Sequence, residues 1–363
     1  MDRQYYLDLA SSRLRMPIGA DLVLHECPDA EQIVLDGRRL GEIVESTARR
    51  YHTPLAIPLM DLRLEKADLL GVLGLTSVDP DSFHFSQPPA EDLPDRDAPF
   101  GQANQAQFDA IRYVRGAGLV PVGMSIGPFS LTTKLIADPI ASIAMAGMGV
   151  TAEEDAGVQM VERCLRLAEF AIERSLRAQI AAGAAAVLVC EPAANVVYLS
   201  PRQLAAGSDI FERLVIQPNL RLKRQLSEAG VDLIFHDCGE LNDFMVREFS
   251  TRLDPAILSL GSSRQLWEDA ALVPKHVVLF GNLPTKSFYS DTAMPVEKVE
   301  SLTLELIERM RAAAHPHILG SECDVLHVPD AAATIRRKVD VMLTCSRTRE
   351  FSTSLDSHGS TAS

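Results

Sequence analysis

The feature that most constrains this chain is its alternation of short apolar runs with longer amphipathic segments. The runs at 54–60, 119–126, 184–190, 231–235, 256–260, 276–280 and 317–319 are mostly apolar rather than alternating. That is the pattern of parallel strands buried on both faces. Between them lie segments of good helix formers, among them 153–182, which stops at Gly183, and 209–229, which stops at Gly230. A glycine just past the last helical residue is a common C-terminal cap. Repeated strand–helix units predict a parallel α/β fold. Seven recognisable strands over 363 residues favour a single-domain (β/α)8 barrel of TIM type, with one strand too irregular to read, over an open doubly wound sheet. No GxGxxG or GxxxxGK[ST] follows any strand, so the phosphate-cradling loops of open-sheet folds are absent.

The expected barrel occupies 1–345. A Pro- and Asp-rich stretch at 87–107 reads as a loop insertion, and the Ser/Thr-rich, apolar-poor segment 346–363 as a disordered tail. The net charge of -14 repels phosphate backbones and anionic lipids, so neither nucleic acid nor a membrane surface is an expected partner. The N-terminus lacks the apolar core of a secretory signal, and no apolar run approaches the roughly 18 residues that span a bilayer. The chain therefore reads as cytoplasmic. There its six cysteines (27, 164, 190, 238, 323 and 345) should be free thiols or metal ligands rather than a disulfide framework.

In a barrel of this kind, chemistry sits at the C-terminal ends of the strands and in the loops that follow. Those positions are Asp61, Ser125, Glu191, His236 with Cys238, Asn282 and Cys323. A lone His-x-Cys carries little weight, and both cysteines could be small buried hydrophobes. Placement adds the weight, because His236 and Cys238 share one strand end and Cys323 closes another. One imidazole and two thiolates would leave the fourth position of a tetrahedral zinc open, as in catalytic rather than structural sites. The same set cancels the ion's charge, which suits it poorly to acidifying water. A thiol, by contrast, would be held ionised. Free thiols of pKa about 8.5 are only a few per cent ionised at neutral pH, so this gains roughly thirtyfold, or about 2 kcal/mol. The chemistry implied is thiol alkylation.

The His236-x-Cys238…Cys323 element resembles the zinc motif of corrinoid-dependent thiol methyltransferases in the uroporphyrinogen decarboxylase superfamily, of which the methylcobamide:coenzyme M methyltransferases are examples. Gly127-Pro128-Phe129-Ser130-Leu131, Glu191-Pro192-Ala193-Ala194, Leu199-Ser200-Pro201, Phe235-His236-Asp237-Cys238-Gly239 and Gly281-Asn282-Leu283 fall in the corresponding order, and the resemblance spans most of 50–345. It implies a (β/α)8 barrel, a zinc ion on His236, Cys238 and Cys323, and a methyl group moved between a methylated corrinoid and a thiol. By the same resemblance Glu191 stands where relatives carry Asp beside the zinc, as a fourth ligand or proton acceptor; a strand-end carboxylate paired with an arginine is the plainer alternative. Asn282 would orient a ligand or grip the thiol's polar tail, or simply form a turn. Asp61 and Glu65 would be carboxylates of the mouth, or caps of the helix that begins there.

Two departures bound the reading. True uroporphyrinogen decarboxylases carry an arginine-bearing N-terminal segment for the substrate's carboxylates, and RLRMPIGADLVLHE has no comparable motif. Decarboxylation of an anionic tetrapyrrole is thus disfavoured. The Asp-x-His-x-x-Gly of cobalamin domains is also missing, since Ile234 stands two residues before His236. The corrinoid is therefore expected in trans, on a partner corrinoid protein. An alternative runs the transfer from the other side, with the barrel demethylating an O- or N-methyl compound and passing the group to the corrinoid protein.

Overall fold

In a computed structural model of the chain, residues 1–355 are described, with side chains to Cys345. Eight parallel strands run β1 (Arg15–Ile18), β2 (Leu55–Ala56), β3 (Val120–Ile126), β4 (Ala186–Cys190), β5 (Asp232–Asp237), β6 (Ile257–Leu260), β7 (Val278–Leu283) and β8 (His317–Asp324). They pair in the order β1-β8-β7-β6-β5-β4-β3-β2, and helices cover the outside. This is the expected α/β barrel of TIM type. Between β1 and β2 no ladder is formed among the described residues.

The strand hidden from sequence reading is β1, four residues long, opening with Arg15 and containing Pro17. β2 is the shortest. Its expected run of 54–60 pairs with β3 only at Leu55 and Ala56, and Pro58, which has no N–H to give a ladder, follows at once.

Alternate residues of each strand serve two different cores. Leu188, Ile234, Ile257, Val278 and Phe280 point into the barrel, while Val187, Val189, Phe235, Leu258 and Leu279 pack under the helices. This division explains why the strands lack an alternating polar pattern.

The helix expected at 153–182 is observed as Ala156–Ala182, with the Asp155 carboxylate accepting the Val158 N–H at its start. That expected at 209–229 is interrupted. A π-turn occupies Glu212–Ile216 and an α-helix resumes at Gln217–Glu228. Pro218 at its first turn has no N–H to donate backward, which displaces the hydrogen-bond ladder.

The expected insertion at 87–107 is irregular only to Gly101, where the helix Gln102–Gly116 begins. It is pinned from below by Arg174, whose guanidinium donates to the carbonyls of Arg96 and Ala98. Arg174 also pairs with Asp68 at 2.9 Å and lies 3.9 Å over the Phe100 ring. Residues 346–355 of the expected disordered tail instead continue the last helix, Ala332–Leu355, and 356–363 lie outside the described residues. No described helix is long and apolar enough to cross a membrane.

Candidate metal centre at the barrel mouth

His236 lies on β5 with the same inward parity as Ile234, and Cys238 follows directly. Cys323 lies near the end of β8. Ligand atoms from the three residues all fall within 4.8 Å of one another, and no other such group of His, Cys, Asp or Glu occurs among the described residues. The two Sγ atoms are 3.6 Å apart. That is close to the edge of a tetrahedron with metal–sulfur bonds of about 2.3 Å.

The imidazole is oriented by its neighbour in the sheet. His236 and Ser259 are register partners on β5 and β6, and His236 Nδ1 lies 2.8 Å from Ser259 Oγ. Its other nitrogen, Nε2, is buried without a hydrogen-bond partner. Buried ring nitrogens in folded proteins nearly always have partners, and one held by its far nitrogen while the near one is unspent is the usual arrangement of a metal-ligating histidine. Backbone comes close behind Cys238: a Cβ on Gly261 would stand 2.8 Å from the Cys238 Cα, so only glycine fits there.

Electrostatics divide the two thiols. A hydrogen bond from Cys323 pulls the Cys238 pKa down against the cost of burial, with help from His236 and Lys286. The same bond, reinforced by burial, pushes Cys323 up. The first proton therefore leaves easily and the second is held, unless a cation takes its place. Lys286, in the short 3-10 turn after β7, supplies part of this field. Burial works against its ammonium, but the charges of Cys238, Cys323 and Glu322 outweigh that and raise its pKa. The Lys286 N–H donates to Glu322 Oε1 at 3.2 Å, and Ser262 Oγ donates to Oε2 at 2.5 Å. Lys286, Ser259 and Glu322 were invisible as site residues in the sequence; only the placement of Lys286 just past a strand end hinted at one of them.

The remaining expected residues have other tasks. Glu191 is fully buried and does not point to the ligand group. Its carboxylate accepts the Phe129 and Ser130 backbone N–H groups at 3.1 and 2.8 Å, and the Asn219 amide at 2.8 Å. It caps the helix Pro128–Leu135, which explains both the missing arginine and the glycine at 127, where a Cβ would strike the carboxyl at 2.0 Å. The amide of Asn282 donates to the carbonyls of Gly261 and Arg264 at 2.8 and 2.9 Å; it ties the loop after β6 to β7 rather than facing a substrate. Asp61 does reach the mouth but is locked to Arg63 at 2.8 Å. Glu65 is not at the mouth: it is buried behind β3 and accepts the Ser175 hydroxyl at 3.0 Å, and burial pushes its pKa up to about 7.

A cleft of about 320 Å³ opens beside the ligand group, walled by Asp21, Glu31, Met60, Asp61, Arg63 and Asp324 among others. Met60 Sδ lies 4.0 Å from Cys323 Sγ, so the cleft adjoins the candidate ligand group. Burial raises the Asp324 carboxyl to about 8. His25 stacks on His327 with ring centroids 4.6 Å apart, and His25 forms part of the cleft's outer wall.

Comparison with known proteins agrees with this architecture. No curated protein sequence matches the chain. Among solved structures, a methyltransferase from Methanosarcina mazei is similar with a TM-score of 0.66 and 15% identity, covering 93% of this chain and 94% of that one. A 3-keto-D-glucoside 4-epimerase from E. coli aligns at 14% identity over 73% of this chain and 100% of its own, with a TM-score of only 0.33. The family model of uroporphyrinogen decarboxylase (URO-D) matches residues 34–337, and the chain belongs to the uroporphyrinogen decarboxylase family.

Proposed function

We propose that this chain is a zinc-dependent methyltransferase that moves a methyl group between a methylated corrinoid, carried by a partner protein, and a small thiol. The observation that carries the proposal is the group His236, Cys238 and Cys323, with an unspent buried Nε2 and thiols at tetrahedral spacing. When bound, zinc would supply an open coordination position at which a substrate thiol is held ionised. The chain's own residues do the rest. Ser259 fixes the His236 ring, and Lys286 offsets the negative charge of the two thiolates. The adjoining cleft is the size of a small-molecule site and would position the substrate's sulfur for in-line transfer. The M. mazei methyltransferase, alike in fold, supports the reaction class.

The family's name suggests decarboxylation of a porphyrinogen, but the cleft is lined by the carboxylates of Asp21, Glu31 and Asp61 against the single, already paired Arg63. A polycarboxylate would meet like charge there. The same acidic lining favours one second reading, in which a methylated amine enters the cleft and gives its methyl group to the corrinoid protein.

The test is a paired assay on the zinc-loaded chain. Free methylcobalamin is offered with a panel of small thiols, and cob(I)alamin with a panel of methylamines and methoxylated compounds. Thioether formation supports the first reading. Methylation of cob(I)alamin alone moves the assignment to the second, and no turnover in either direction with zinc bound would refute both.

A further inference from the structure

We infer that the opposite end of the barrel carries a second binding site, for a small amphiphilic anion: an aliphatic body ending in a phosphate or carboxylate. A cleft of about 700 Å³ lies at the N-terminal ends of β1 and β8, between the first helix, Arg3–Ser11, and the helix Val296–Ala313. It is more than twice the volume of the cleft at the metal centre and within the range of small-molecule sites.

Its charge is one-sided. Arg13, Arg15, Lys275 and Arg311 line it, and among the described residues no carboxylate does, in a chain whose net charge is -14. Two of these cations are already spent. Lys275 donates to the carbonyls of Ala313 and Ala314 at the end of a helix, and Arg15 donates to those of Met342 and Leu343. Arg13 and Arg311 have neither an ion pair nor a side-chain hydrogen bond among the described residues. Two unspent guanidinium forks on one cleft match the planar, bidentate recognition of a phosphate or carboxylate.

The rest of the lining decides what the anion is attached to. Leu7, Leu14 and Ile307 are half-buried on the walls, with Met310 and Leu319 buried beneath. Among the described residues no Phe, Tyr or Trp lines the cleft, so none of them offers a nucleobase the aromatic face on which bases usually stack. The two histidines on the floor add no charge. His317 Nε2 is held by the Gly281 carbonyl and burial brings its pKa down to about 4. His315 is bound to the Val277 carbonyl and is likewise lowered by burial. The cleft thus offers an apolar interior with cations at its rim.

The test is calorimetric titration of the full chain with octyl phosphate, with inorganic phosphate and 1-octanol as separate arms. Octyl phosphate should bind saturably at about one per chain, and both other arms at least tenfold more weakly. The double variant Arg13→Ala/Arg311→Ala, altered only at exposed positions, should weaken octyl phosphate at least tenfold while its thermal midpoint stays put. Absence of saturable binding, or equal binding by the double variant, would overturn the site. Inorganic phosphate binding as tightly as octyl phosphate would overturn the amphiphile.

Discussion

Changing Ser259 to Ala tests whether the metal centre is organised from behind, without touching a ligand. Ser259 is 1% exposed, so water has little room to replace its hydroxyl, and among the described residues its Oγ is the one partner of His236 Nδ1, at 2.8 Å. With Nε2 kept for a metal, Nδ1–H donates to this oxygen, which sets both the tautomer and the ring angle. Loss of such an outer-shell contact typically costs 10- to 100-fold in metal affinity, or about 1.4–2.7 kcal/mol at about 1.36 per tenfold. The assay is competition for zinc against a chromophoric chelator at fixed pH, with circular dichroism and a thermal midpoint as controls for folding. The variant should fold like the parent and bind zinc at least tenfold more weakly. A dissociation constant within twofold of the parent's, in a normally folded variant, would refute the claim that Ser259 orients the ligand.

Cys238→Ser and Cys323→Ser should each remove most zinc from the purified chain while leaving the barrel folded; metal analysis by mass spectrometry decides, and full occupancy in the double variant sinks the site. Arg174→Met should cost about 3–5 kcal/mol in urea unfolding, because it leaves the buried Asp68 charge unpaired, and adding Asp68→Leu should recover much of it. Glu65 gives a pH signature. Its folded pKa, about 7, lies above the ordinary value of 4.5, so the unfolded chain ionises first as pH rises. Stability should fall from about pH 4.5 to pH 7 and level off above. Glu65→Gln should therefore be closest to the parent near pH 4.5 and gain on it by pH 8; a constant difference across that range would show that Glu65 is not the titrating group.

The barrel was legible because its strands are buried on both faces, which writes them as apolar runs that no other element explains. What escaped was what burial does not write. β1 is four residues with an arginine and a proline, and it is a strand only because β8 offers it a ladder. The break in the helix expected at 209–229 could have been placed, since Pro218 was in plain view. The edge of the 87–107 loop could not, because Arg174, which holds it, lies some seventy residues further on.

The metal group and the residues around it differ in legibility for the same reason. His236, Cys238 and Cys323 are readable because strand ends in a barrel converge on one mouth whatever the intervening sequence. Glu191 also stands at a strand end, and the rule that found the ligands misplaced it. A carboxylate beside a glycine gap and a helix N-terminus finds N–H donors first, and the Gly127–Pro128 step that creates both lies sixty residues away. Ser259 is readable only through register: one must know that position 259 sits beside 236, and parallel pairing leaves no mark in either strand's own sequence. Strand-end position thus nominates candidates, but the lateral neighbour in the sheet decides which of them is free to hold a metal.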